Sequence, residues 1–268
     1  MIKVAVIGAA GRMGQRLVTN IVNSDDLELV AAIEWEKSPM LGIDAGSIAG
    51  LQPCGVKVTT DIDEATKKAD AIIDFSTGNV LNNAEVASKN GCTITIGTTA
   101  LGDEGKAKLE ELAKNGARIV FASNMSVGVN LLFHLTKQVA SILNEEYDIE
   151  IVEMHHNQKL DSPSGTAVTL GECACEGRGV KYDDVIVNGR EGMVGKRPKG
   201  EIGMHAVRGG DVVGDHTVIF ATNGERIELT HKASSRDTFA NGALRSVRWL
   251  AKQDQAGLYD MRDVLEIK

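Results

Sequence analysis

The chain has 268 residues, with 29 Lys or Arg against 37 Asp or Glu and a formal net charge of −8; its length suits one large domain or two ordinary ones. The acid excess excludes sequence-independent nucleic-acid binding, which needs a basic footprint. Hydrophobic residues at 43% and charged residues at 25% exclude intrinsic disorder, and no apolar run reaches the ~18 residues of a membrane helix, so neither a nucleic-acid nor a membrane partner is expected.

Ile2–Ile7 is a nearly continuous apolar run, the pattern of a strand covered on both faces. It has no basic stretch before it and meets a Gly-rich turn, so it reads as a strand and not an export signal, and a cytoplasmic location is expected. Arg12–Asn23 reads as a helix and Leu27–Ile33 as a second strand, followed by a loop over Trp35–Pro53. Val56–Thr59, Ala71–Asp74, Thr93–Ile96 and Ile119–Phe121 read as further strands, with helices at Val80–Lys89 and Asp103–Lys114. This alternation predicts βαβ units and a doubly wound parallel sheet, a Rossmann-like dinucleotide-binding domain over residues 1–126.

The rhythm then changes. Val129, Leu132, Phe133, Thr136, Ala140 and Leu143 recur at helical spacing and predict a helix over Val127–Asn144. Asp148–Glu153 alternates as a strand, Thr166–Cys175 reads as a short helix, and the Gly-rich, charged stretch Glu176–Gly200 as a mobile loop. Glu201–Val207, Val212–Ala221 and Arg226–His231 read as successive antiparallel strands, turning at Gly209-Gly210 and Asn223-Gly224. A last helix spans about Thr238–Ala251. The fold class is therefore α/β, with a second, α+β domain over residues 127–236 and residues 237–268 expected to return to the first.

Gly8, Gly11 and Gly14 follow the first strand and open the first helix as G-x-x-G-x-x-G, with Ala10 where the commoner pattern has a glycine. Small residues here permit a tight turn, and the helix start offers N–H groups to a pyrophosphate. Glu34, 20 residues after Gly14 and at the end of the second strand, suits the adenine ribose hydroxyls. The same glycines would also suit a purely structural turn. Gly97-Thr98-Thr99 and Ala122-Ser123-Asn124-Met125 follow other strands, where a nicotinamide could lie or where ordinary loops would do equally well.

His155-His156-Asn157-Gln158-Lys159 concentrates proton-handling groups, and Ser162-Pro163-Ser164-Gly165-Thr166 precedes a helix whose free N–H groups suit a carboxylate. Together they read as an anion cradle beside a proton donor, or as a solvated polar loop with a helix cap. The paired histidines lack H-E-x-x-H spacing, Cys54, Cys92, Cys173 and Cys175 form no C-x-x-C pair, and no metal site is expected. His134, His205, His216 and His231 read as structural or surface groups.

Taken together, these stretches closely resemble the 4-hydroxy-tetrahydrodipicolinate reductase (dihydrodipicolinate reductase) family, essentially end to end. VAVIGAAGRMG, VGVN at Val127–Asn130, EMHHNQKLDSPSGTA at Glu153–Ala167 and HKASSRDTFANGALR at His231–Arg245 carry the resemblance, the third most diagnostically. It implies reduction of an unsaturated heterocyclic dicarboxylate by NADH or NADPH in the diaminopimelate route to lysine. It also implies that Gly8, Ala9, Ala10, Gly11, Arg12 and Met13 hold the cofactor phosphates and Glu34 the adenine ribose. Gly97, Thr98, Thr99, Ala122, Ser123, Asn124 and Met125 would line the nicotinamide side. His155 would be a proton donor or acceptor, Lys159 the proton donor, and His156, Gly165 and Thr166 ligands of a substrate carboxylate. A homotetramer joined through sheets of the second domain is implied as well. Trp35 stands where many members carry a basic residue, and Phe75-Ser76-Thr77-Gly78 where some carry an arginine; both favour NAD, with NADP as the lesser cofactor. Two other readings stay open: another two-domain nicotinamide dehydrogenase, and a non-catalytic dinucleotide sensor.

Overall fold

The computed structural model describes residues 1–98 and 101–267 and divides into two compact units, residues 1–127 with 236–268, and residues 128–235. The chain begins with β1 (Ile2–Ile7), α1 (Arg12–Val22), β2 (Leu27–Ile33), α2 (Ala45–Ile48), β3 (Val58–Thr59) and α3 (Ile62–Lys68). It continues through β4 (Ala71–Asp74), α4 (Val80–Lys89), β5 (Thr93–Ile96), α5 (Gly102–Lys114) and β6 (Arg118–Phe121). The strands fall where apolar, β-branched runs place them. The helices α2 and α3 were not anticipated. Each starts on an aspartate whose carboxylate accepts an N–H of the first turn, Asp44 from Ser47 at 3.0 Å and Asp61 from Glu64 at 2.9 Å, the standard cap chemistry.

The chain then enters α6 (Val127–Leu143), β7 (Asp148–His155), α7 (Gly165–Arg178), α8 (Tyr182–Val185), β8 (Ile186–Asn188), β9 (Ile202–Arg208), β10 (Gly214–Thr222) and β11 (Glu225–Ala233). These strands form one five-stranded sheet in the order β11-β10-β7-β9-β8. The expected run of three successive antiparallel strands keeps its alternating directions but is corrected in its pairing, because β9 and β10 are not neighbours. β10 pairs antiparallel with β11 and β7, but β9 runs parallel to β7 and β8. β7 sits between β9 and β10, so the Gly209-Gly210 turn passes around its end; the N–H of Gly209 donates to the His155 carbonyl and that of His156 to the Val212 carbonyl. The expected loop over residues 176–200 is likewise partly ordered. α7 runs on to Arg178, and Val180, Tyr182, Val185 and Ile186 pack against the core of Ile149, Ile151, Leu170 and Phe220. Beyond β8, Arg190 and Arg197 both bond Glu150.

The tail supplies α9 (Asp237–Leu250), β12 (Gly257–Tyr259) and α10 (Met261–Val264) to the first unit. β12 pairs with β6 and completes a sheet of order β12-β6-β5-β4-β1-β2-β3, with every pair parallel. Its two faces bury separate clusters. One joins Leu17, Ile21, Ala243 and Val247, and the other joins Ala65, Ala84, Ile94 and Leu109. Burying each large aliphatic side chain contributes roughly 1.5–3 kcal/mol. Asp237 receives Arg16 of α1 in a two-pronged pair at 2.6 and 2.7 Å, which fixes α9 beside α1.

Candidate active site

In the first unit the strand order reverses between β1 and its neighbours β2 and β4, the place where doubly wound sheets bind ligands. Gly8 turns with φ +75°, a left-handed conformation that suits glycine. Gly11 caps α1 without a side chain, so no cap oxygen competes for the first-turn N–H groups. The Glu34 carboxylate accepts the N–H of Ala10 at 2.9 Å and so braces this loop.

A cleft of about 960 Å³ opens here, lined among others by Gly8, Gly11, Glu34, Trp35, Lys37 and Ser76. Ser76 Oγ is buried and lacks a partner among the described residues, and its N–H is held at 2.8 Å by the fully buried Asp74. A backbone cradle at a helix start, a neighbouring acid and an unused hydroxyl fit a dinucleotide.

The cleft brings together only some of the residues expected to hold the cofactor. Arg12 is exposed, Met13 packs on the core, and Ala9 is buried. Gly97 lies against the Phe75 ring, and Thr98 and Met125 are buried. Ala122 bonds the Ile96 carbonyl, Ser123 is exposed, and Asn124 accepts the Ser126 N–H at 2.9 Å. These lie beyond strand ends but outside the cleft lining, and Thr99 lies outside the described residues.

In the second unit, the two-residue period of β7 puts Glu153 and His155 on its buried face. Glu153 is fully buried and fully bonded. Its Oε2 faces His155 Nδ1 at 2.6 Å and Arg208 Nη1 at 2.8 Å, and its Oε1 accepts Arg208 Nη2 at 2.8 Å and the Ser164 N–H at 3.0 Å. Burial pushes this carboxyl up, but the bonds from Arg208, His155 and Ser164 outweigh it and hold it below the ordinary value. Burial lowers His155, with Glu153 opposing, so the imidazole is neutral near pH 7.

His155-His156-Asn157-Gln158-Lys159 leaves the end of β7 and is tied down by Asn157 N–H to the Gly210 carbonyl. Lys159 Nζ bonds Asp161 at 2.9 Å and is mostly covered, while Asp161 is held low by that bond. Ser164 caps α7, its Oγ accepting the Ala167 N–H at 3.2 Å. Gly165 and Thr166 form the first turn, with open space where a Gly165 side chain would be. A lysine ammonium, a neutral imidazole and a helix start thus share one strand end.

His216, expected to be a structural or surface group, lies beside these residues. It is buried, stacks edge-on against His155 with ring centroids 5.1 Å apart, and bonds Ser164 Oγ at 3.1 Å. Burial drives its pKa down to about 3. The sequence reading gave Glu153 and Arg208 no part in the site, whereas Ser164 lay in the stretch it read as a cradle or helix cap. The one available signal was that Glu153 stands two residues before His155 on an alternating strand, hence on its face. Arg208 had none, because its place beside His155 depends on the parallel β7–β9 register.

These features define a two-unit protein of the dinucleotide-dependent oxidoreductase class. Family models described as dihydrodipicolinate reductase N-terminus and C-terminus match residues 2–125 and 128–265. The chain is 52% identical to the 4-hydroxy-tetrahydrodipicolinate reductase of Syntrophotalea carbinolica, covering all of both chains. It is 49% identical to that of Roseobacter denitrificans over 99% of this chain and 97% of the relative. The chain belongs to the dihydrodipicolinate reductase family and is an oxidoreductase. Among solved structures it is similar to a dipicolinate-bound dihydrodipicolinate reductase from Paenisporosarcina sp. TG-14, with TM-score 0.74, 26% identity and full coverage of both chains. An apo scyllo-inositol dehydrogenase from Lactobacillus casei shares the fold at TM-score 0.57 and 13% identity, over 99% of this chain and 92% of that one.

Proposed function

We propose that this chain reduces 4-hydroxy-tetrahydrodipicolinate to tetrahydrodipicolinate, with loss of water, in the diaminopimelate route of lysine biosynthesis. The observation that carries this reading is the full-length similarity to reductases of that name. The dipicolinate held by the Paenisporosarcina relative supports a heterocyclic dicarboxylate as substrate.

A reduced nicotinamide, when bound, supplies the hydride. Gly8, Ala9, Ala10, Gly11, Arg12 and Met13 hold its phosphates, and Glu34 its adenine ribose. Gly97, Thr98, Thr99 and Ala122–Met125 form the nicotinamide side. Lys159 delivers a proton to the ring, which becomes electron-rich as hydride arrives at an electron-poor carbon. His155 presents Nε2 as an acceptor, because Nδ1 faces a carboxylate. His156, Gly165 and Thr166 bind a substrate carboxylate, with helix-end N–H groups as fixed donors.

NADH is the preferred cofactor and NADPH the weaker one, given the acids and the tryptophan at the ribose end of the cleft. The working form is a cytoplasmic homotetramer. Val152, Met154, Val207 and Ile219 share the outward face of the second sheet with Glu150, His205, Asp215 and Thr217, a mixed surface that supports self-association, and sedimentation of the purified protein tests it. The test of activity is NADH oxidation in a coupled assay that makes the heterocycle from pyruvate and aspartate semialdehyde. Oxidation that depends on both precursors is expected; none above the background without this chain would overturn the reading.

A further inference from the structure

We propose that Glu153 is a positioning residue that sets His155 in a single tautomer, with hydrogen on Nδ1 and the lone pair on Nε2, and locks that ring to the start of α7. This rests on the assignment of His155 to the reaction. Four hydrogen bonds converge on the Glu153 carboxylate, two on each oxygen. Arg208, Ser164 N–H and His155 Nδ1 are the donors, and an ionised carboxylate only accepts. The ring nitrogen facing Glu153 must therefore carry hydrogen, which leaves Nε2 as the acceptor.

The carboxylate also spans two functional parts. Its Oε2 faces the imidazole, and its Oε1 holds the backbone of Ser164, the residue that caps α7 and precedes Gly165 and Thr166. Arg208 extends the brace to the carbonyl of Asp161, the partner of Lys159. One ion pair, with its carboxylate buried and its guanidinium partly exposed, thus fixes the imidazole, the helix start and the turn after the lysine relative to one another. The other groups facing His155 are His216, whose ring stacks on it, and the positive charges of Lys159 and Arg208.

Glu153→Gln keeps the shape but leaves one acceptor oxygen for the work of two. If the amide nitrogen turns to His155, the ring must become its Nε2–H tautomer and lose the acceptor. Turnover should then fall by ~10²–10⁴, the range for a lost positioned proton-transfer group. The pH profile should lose or shift the limb that His155 contributes, and nitrogen-15 NMR of the ring should change from Nδ1–H to Nε2–H. His155→Ala is the reference. If it is slow while Glu153→Gln retains wild-type turnover, pH profile and ring spectrum, the positioning role is overturned and His155's role stands. If His155→Ala turns over normally, the underlying assignment fails, and with it this inference. Should Glu153→Gln not fold, the ring spectrum of the unmodified protein decides: an Nε2–H imidazole at neutral pH overturns the proposal, and an Nδ1–H ring supports it.

Discussion

The first helix approaches the glycine turn so closely that a Cβ on Gly14 would lie 2.0 Å from the carbonyl oxygen of Gly8 and 2.6 Å from the Cα of Ala9. Both obstacles are backbone, so no side chain can swing aside. Gly14→Ala must move α1 away from the turn, and overpacking of this kind costs ~1–3 kcal/mol or more. The expected outcome is a lower thermal midpoint and weaker NADH binding by fluorescence titration. Wild-type affinity and midpoint would show that the turn yields without harm to the cradle.

His155→Ala and Lys159→Ala should each lower turnover by ~10²–10⁴ while NADH binding stays near wild type. The split is expected because both residues belong to the second unit, whereas the cleft that fits the dinucleotide is lined wholly by residues of the first. Steady-state kinetics paired with fluorescence titration makes the check. Near-wild-type turnover in both variants would remove them from the proton chemistry.

His216 links the site to stability. Its pKa is about 3 in the folded chain against ~6.5 when unfolded. Below the unfolded value the unfolded chain binds a proton that the folded chain refuses, so stability falls as pH drops from about 6.5 toward 3. Its neighbours His155, Glu153, His231 and Lys159 set the local field. Between pH 7 and pH 5 the contribution is about 2 kcal/mol, from the shift and the linkage relation. Urea unfolding at the two pH values should show that loss in the wild type and a loss smaller by about that amount in His216→Gln. Equal losses would place the buried proton elsewhere.

What the sequence revealed follows physical range. The parallel strands β1, β2, β4 and β5 were legible because strands buried on both faces are short runs rich in apolar and β-branched residues, and the glycine turn was legible because its spacing is local. The short β12 was missed: Gly257–Tyr259 is three residues long and is defined by pairing with β6 in a distant part of the chain. β9 was located, and it does run opposite to β10, but its partner was not found, since insertion of β7 between the two leaves no mark in either strand's own pattern. The candidate site divides the same way. His155, Lys159 and Gly165-Thr166 stand within one short stretch. Arg208 and His216 reach them only through the sheet register.

The proposed preference for NADH rests on placing the adenine ribose at the wall of the cleft lined by Glu34, Trp35, Glu36 and Lys37. NADP carries a phosphate of nearly two negative charges on the adenine ribose. Glu34 repels it, while its carboxylate can accept the free hydroxyl of NAD. That acid cannot easily turn away, because Oε1 already holds the Ala10 N–H, and Glu36 adds a second negative charge. Trp35 is 62% exposed and offers a flat ring for adenine but no charge. Lys37 is the one cation among these four residues, and a mobile ammonium is a poorer phosphate partner than a forked guanidinium. A missing charge-assisted contact is worth ~1.5–3 kcal/mol, roughly a 10- to 150-fold preference for NADH in kcat/KM. Trp35→Arg should narrow that ratio, mainly by improving NADPH, and Lys37→Ala should widen it. Specificity constants for both cofactors across the three proteins make the test. Equal or better use of NADPH by the unmodified chain would sink the preference, and its loss in Lys37→Ala would then identify Lys37 as the phosphate's partner.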